Sequence, residues 1–392
     1  MNNDRFNRDR LVAEAVARAG ADDFGEDTWQ EGLEMLVDGF PSESQLNDVG
    51  VEIAAGDLVN NLVIRLGIID WRRAHPEIAE VGIDHPIVIV GQPRTGTTIL
   101  YDLLALDPSL RAPLTWEVDR PLPPPETATY ETDPRIAEVD ETLAMADSLI
   151  PGFTNFHPMG ATLAQECVRI TAGDFRSMIF PIQFRLRTYN HWLLHDADLG
   201  PAYRWHRLFL QHLQSRHAAE QWLLKSPAHL WHLDQLAGEY PDALIVQTHR
   251  DPLKVIASTS ALATHLRRMA SDEPDIVEIA ADYADDIFLG LDRGIDARAR
   301  GVIPPDRIVD VQFAAFVADP IATVREIYVA LGRELDDVTE RRMCQFLDKN
   351  PGDGGGGGSR YRFADTGLDP DALRERAAAY QDYFDVESEP VV

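Results

Sequence analysis

The sequence predicts an α/β fold: a parallel central sheet with helices on both faces, preceded by N-terminal helices and carrying a helical insertion. Three observations lead there. Short continuous apolar runs, the first of them rich in β-branched residues, recur at 87–90, 222–225, 243–249 and 307–313. Such runs suit parallel strands buried on both faces. Helix-like sequence links each run to the next, as strand–helix–strand crossovers require. The first run, IVIV, passes directly into GQPRTGTT at 91–98 and then into another apolar run, which reads as strand, tight turn and helix.

Taken in order, residues 8–19, 27–37 and 45–74 have apolar positions at helical spacing. Residues 1–84 are therefore read as an N-terminal helical region, and 85–392 as the domain that holds the sheet. His85-Pro86 introduces the first strand, WLLK, ALIVQTH and RIVDVQF supply three more, and LTWE at 114–117 is a candidate for a fifth. The stretch from about 120 to 220 differs. It opens on RPLPPPET, which can be neither helix nor central strand. It continues with helical patterns carrying Phe153, Phe156, Phe175, Phe180, Phe184, Tyr189, Trp192, Tyr203 and Trp205. This is read as a helical substrate lid inserted over the active site. Most of its aromatics are expected in core, and some at an apolar pocket.

Composition restricts the function classes. Apolar residues make up 45% and charged residues 26%, as in soluble globular proteins. The formal net charge of −29 repels nucleic acid and anionic membranes. An anionic ligand must therefore be held by a local basic cluster. Cys167 and Cys344 provide no disulfide framework and no zinc spacing. Both are expected to be reduced and buried, which suits a cytoplasmic protein. The N-terminal residues lack the apolar core of a secretory signal, and no segment is long and apolar enough for a transmembrane span.

The turn at 91–98 is a candidate phosphate cradle. Gly91 permits a tight strand-to-helix turn and Gly96 lets backbone approach a ligand. Thr95, Thr97 and Thr98 offer hydroxyls beside a helix N-terminus, where backbone N–H groups and the dipole favour an anion. A Walker loop places a lysine before its last hydroxyl residue; here Thr97 stands there, and the one cation is Arg94. Such a loop suits a single phosphate better than a β/γ pair with Mg²⁺.

A second anchor lies at THRDPLKVIAS, 248–258. Asp251-Pro252 is a helix start, an N-cap followed by proline. Arg250 is then exposed at a strand's carboxyl end. Ser258 follows eight residues later, so the two make a plausible clamp for a second phosphate.

The GxPR[ST]GTT-type loop, the lysine ending WLLK, the Arg-Asp-Pro triplet and the serine eight residues after the arginine together resemble the sulfotransferases that use 3′-phosphoadenosine 5′-phosphosulfate (PAPS). The likeness is to the bacterial branch, on a P-loop-like fold, and to tyrosylprotein sulfotransferases, which carry arginine in the loop where many cytosolic relatives carry lysine. It runs from about 85 onward and is best at 87–121 and 221–260. The resemblance implies that Arg94, Thr95, Gly96, Thr97 and Thr98 bind the 5′-phosphosulfate, and that Arg250 and Ser258 bind the 3′-phosphate. It implies 3′-phosphoadenosine 5′-phosphate (PAP) as product and no required metal. Family members also close the nucleotide site with a late basic, glycine-rich loop. That assigns Arg360, Tyr361 and Arg362, beside the glycines at 354–358, to the cofactor more loosely.

For the chemistry, Lys225 matches the family's lysine on the bridging oxygen or sulfonate, with Arg94 assisting. Glu117 in LTWEV stands where the resembling branch carries a catalytic glutamate and is the chosen base. His229 in KSPAHL and His157 in NFHPMG are its rivals. The expected acceptor is an alcohol, phenol, lipid or glycan hydroxyl, with a bulky apolar alcohol favoured by the aromatic insertion. The alternatives are a nucleotide or small-molecule kinase on the same fold, which predicts a loop lysine, and a non-catalytic nucleotide-binding regulator.

Overall fold

The computed structural model describes residues 3–149, 160–350 and 361–391. His157, Phe153 and Phe156 lie outside them, as do Arg360 and the glycine-rich loop 353–358. The chain forms two compact units. One comprises residues 1–83, 113–219 and 265–274; the other comprises 84–112, 220–264 and 275–392.

The first unit is helical. Its three leading helices are Arg8–Ala19, Trp29–Glu43 and Asp48–Ala74. Asn7 and Asn47 cap two of them, accepting from the Arg10 and Gly50 N–H groups at 3.0 and 2.8 Å. Helices Pro134–Leu149, Arg187–His195 and Gly200–Gln214 come from the stretch read as an insertion. Its described aromatics, from Phe175 to Trp205, are buried, as expected of core. Asp174 is buried among them between Arg65 at 3.2 Å and Arg176 at 2.9 Å, and Arg65 lies over the Trp205 ring. A buried carboxylate needs such partners.

The second unit holds the sheet. Its strands are β1 (Ile87–Gly91), β2 (Leu110–Arg111), β3 (Gln221–Lys225), β4 (Leu244–His249) and β5 (Ile308–Gln312). All pairs are parallel, in the order β2-β3-β1-β4-β5. The four strands expected from β-branched runs are present. The fifth is β2, and LTWE is not a strand. Thr115–Asp119 is a short helix, because the Glu117 carboxylate accepts the Leu114 N–H at 2.8 Å and closes the first turn. Leu114 keeps one isolated antiparallel bridge, to Ala164.

Register positions the site. β1 is central, with Ile89 beside Lys225 and Gly91 beside Thr248; on the far side of β4, His249 pairs with Gln312. The carboxyl ends of β1, β3, β4 and β5 therefore lie along one edge of the sheet. The chain leaves β1 toward β2 on one side, while β4 and β5 lie on the other. Ligands of open α/β sheets bind in the crevice at such a reversal. Among the described residues no helix is long and apolar enough to cross a membrane. The two cysteines are free; Cys167 is buried as expected, but Cys344 is exposed, on the solvent side of helix Asp337–Lys349.

Candidate active site

In the sheet unit, β1 ends on a loop whose backbone turns through the left-handed region three times. Gly91 has φ +140°, Arg94 +68° and Gly96 +88°. Gly91 is obligatory: a Cβ there would meet Thr248 Oγ1 at 2.3 Å and the Thr248 carbonyl oxygen at 2.6 Å. Positive φ at a non-glycine residue costs energy and persists only where the surroundings impose it. Arg94 is held from both ends. Its Nε donates to Ser258 Oγ at 3.0 Å, and its carbonyl accepts from Arg250 Nη1 at 3.0 Å. The loop thus joins the second anchor directly, and Arg94, Arg250 and Ser258 form one cluster.

Three of the loop's candidates differ in what the fold does with them. Thr95 is 1% exposed. Its hydroxyl reaches the Gln92 carbonyl and Thr248 Oγ1, both at 2.6 Å, fastening the loop to β4. Thr97 opens helix Thr97–Leu104 and is also buried, whereas Thr98 is partly open. The helix's first-turn N–H groups have no acceptor within the helix, which is what an anion cradle requires.

Lys225 ends β3 and is 1% exposed. Its Nζ lies 3.4 Å from Thr98 Oγ1, a long contact, and 5.6 Å from the Tyr101 ring centroid. A cation this buried beside the candidate phosphate cradle sits in a low-dielectric setting, where its field acts strongly. Ser226 turns the chain after it by accepting the Ala228 N–H. His229 is buried in the short helix Pro227–His232 that follows.

Arg250 departs from expectation. Its side chain is only 15% exposed, because Phe313 lies 3.9 Å beneath the guanidinium and Glu389 grips it from above. Asp251 behaves as foreseen, capping the Leu253 N–H at 2.9 Å. The preceding His249 is anchored by Asp310 at Nε2 and by Tyr380 at Nδ1, each 2.9 Å away. Asp310 accepts, so Nε2 carries the proton and Nδ1 accepts from the tyrosine. Burial pushes the His249 pKa down against Asp310's pull. Burial also opposes ionisation of Asp310, but hydrogen bonds from His249 and Arg298 bring its carboxyl down to about 2.

In the helical unit, Glu117 is fully buried. A single oxygen, Oε2, accepts both the Leu114 N–H at 2.8 Å and the Tyr130 hydroxyl at 3.0 Å. Tyr130 in turn stacks on His217. Arg362 is exposed and pairs with Asp365, and Tyr361 is partly open.

A sequence profile of the sulfotransferase family matches residues 86–337. The chain belongs to that family. It is an enzyme, a sulfotransferase, and the kinase alternative falls. Sulfotransferase STF9 from Mycobacterium avium superposes with a TM-score of 0.88 at 30% identity, covering 98% of each chain. STF1 from Mycobacterium tuberculosis H37Rv does so with 0.83 at 33%, over 95% of this chain and 98% of its own. A relative from Mycobacterium bovis, omega-hydroxy-beta-dihydromenaquinone-9 sulfotransferase Stf3, is 26% identical over 276 residues, 69% of each sequence.

Several residues that contact this sulfotransferase's candidate site were not singled out from sequence. Thr248 was visible as a polar residue in an apolar strand, directly before His249-Arg250. Phe313 was visible as the aromatic that ends RIVDVQF. Glu389, 139 residues from its partner, carried no local signal at all.

Proposed function

We propose that this sulfotransferase moves the sulfuryl group of PAPS onto the hydroxyl of an apolar alcohol. The observation that carries the donor assignment is the pair of bonds joining Arg94 to Ser258 and to Arg250. They support two anion sites side by side, one at the loop and one at Arg250, with no loop lysine for a triphosphate. PAPS has that distribution: a 5′-phosphosulfate and a separate 3′-phosphate. Among the described residues no group of three or more candidate metal ligands occurs, and no step below uses one.

In this reading the loop N–H groups, Thr97 and Thr98 hold the 5′-phosphate, and Arg94 reaches the sulfonate. Arg250 and Ser258 take the 3′-phosphate. Glu117 accepts the acceptor's proton as its oxygen attacks sulfur. The bond from sulfur to the phosphate oxygen breaks, and Lys225 stabilises the negative charge that develops on that oxygen, released with PAP. The lipid named for the Stf3 relative supports a hydroxylated, long-chain apolar acceptor. Two free cysteines fit a reducing, cytoplasmic setting.

Two experiments test this. PAP is expected to raise the melting temperature well above the shift given by ADP at equal concentration, since binding to the native state alone stabilises it. Equal shifts would remove the PAPS reading. Glu117→Gln is expected to lower kcat by roughly a hundred- to ten-thousandfold with PAP affinity unchanged. Glutamine suits the test because an amide carbonyl can take the place of Oε2, which accepts the Leu114 N–H and the Tyr130 hydroxyl; what is lost is the ability to take a proton. A fully active variant would move the base to His229 or His157.

A further inference from the structure

We propose that Glu389 is a built-in stand-in for the donor's 3′-phosphate, and that nucleotide binding displaces it from Arg250; this rests on the reading that Arg250 binds that phosphate. The carboxylate takes Arg250 fork to fork, Nε to Oε1 at 2.7 Å and Nη2 to Oε2 at 2.9 Å. That is the two-pronged geometry arginine offers to phosphate as readily as to carboxylate. Glu389 is 31% exposed, so the pair can be reached from solvent.

The groups that place Arg250 do not compete with an anion. Its remaining Nη1 donates to the Arg94 carbonyl, and Phe313 supports the guanidinium plane from below. With Glu389 gone, the arginine would stay aimed at the same point. Among the described residues, Glu389 occupies the anion position.

The segment carrying it is latched rather than built in. Residues 386–391 have no regular secondary structure. Glu389 N–H donates to Asp251 Oδ2 at 2.6 Å, and Arg374 Nη2 donates to the Glu389 carbonyl at 2.8 Å. Gln381 Nε2 reaches the Val386 carbonyl and Ser388 Oγ, each at 3.1 Å. A strap held by a few such bonds, with no strand pairing, opens at low cost. A dianionic phosphate outcompetes a monoanionic carboxylate for the fork. A nucleotide without a 3′-phosphate gains nothing from opening it. The strap therefore lowers the apparent affinity for PAP by the fraction of molecules in which Arg250 is accessible. It also gives the spent nucleotide a competitor that speeds its departure.

Calorimetric titration with PAP and with adenosine 5′-monophosphate tests the proposal. Glu389→Gln, which keeps the shape and removes the charge, is expected to bind PAP about tenfold more tightly and the monophosphate unchanged. Glu389→Asp, which keeps the charge on a shorter arm, should fall between parent and glutamine variant, and covers the case in which the glutamine variant folds poorly. In the parent protein, PAP should speed amide hydrogen exchange over 385–391 while slowing it over 91–98. Unchanged or weaker PAP binding by both variants, or slower exchange over 385–391, overturns the stand-in role. Arg250→Ala separates the underlying reading: if it binds PAP as tightly as the parent, Arg250 does not hold the 3′-phosphate and the proposal falls with that assignment.

Discussion

Lys225→Met is expected to lower kcat about a thousandfold while the apparent affinity for PAP changes by less than tenfold. The expectation follows from where the cation sits. Nζ is buried beside Thr98 and over Tyr101, so water screens it little. In the proposed reaction its contribution would grow as the bond from sulfur to phosphate breaks and charge gathers on the leaving oxygen. An interaction stronger in the transition state than in the ground state appears in kcat rather than in binding. Methionine matches the length of the lysine stem and fills the same buried space, so the fold is expected to survive. Steady-state kinetics with the donor varied, alongside PAP titration, make the separation. Unaltered kcat would remove Lys225 from the chemistry, and loss of binding alone would make it a donor anchor.

Gly91→Ala is expected to destabilise the sheet unit by roughly 3 kcal/mol or more, read as a lower denaturation midpoint with nucleotide binding lost. Two costs combine. At φ +140° an L side chain is strained, and the new Cβ would lie 2.3 Å from Thr248 Oγ1 and 2.6 Å from the Thr248 carbonyl oxygen. The hydroxyl can rotate away; the carbonyl belongs to β4 and cannot. Adding Thr248→Ala is therefore expected to recover only a small part of the loss. Full recovery would show that side-chain crowding, not the backbone, requires glycine there.

The difference between those two positions also marks what could be read in advance. Gly91 and Lys225 were legible because each ends a short apolar run, and a strand end followed by a turn signal is a local pattern. The helix start at Asp251-Pro252 was legible for the same reason, and its cap is present. LTWE misled because a four-residue apolar stretch does not distinguish strand from helix. The bond from Leu114 N–H to Glu117 decided for helix. Ser258 was read as a partner of Arg250 in the second anchor, and its hydrogen bond goes to Arg94, a partner that only the packing of helix Pro252–Arg267 against the loop supplies.

The sequence by itself determined the strand runs, the glycine-pinned turn that lacks a lysine, the capped helix starts and the residue types of the candidate two-anion site. Each depends on neighbours a few positions apart, where backbone sterics and short-range hydrogen bonding act. Only the tertiary structure decided which residue answers which. It turned the Thr95 hydroxyl inward to Thr248, buried Lys225 beside Thr98, and closed Glu389 over Arg250. Those pairings follow from strand order and register, which bring distant segments to one edge of the sheet, and no local pattern encodes them.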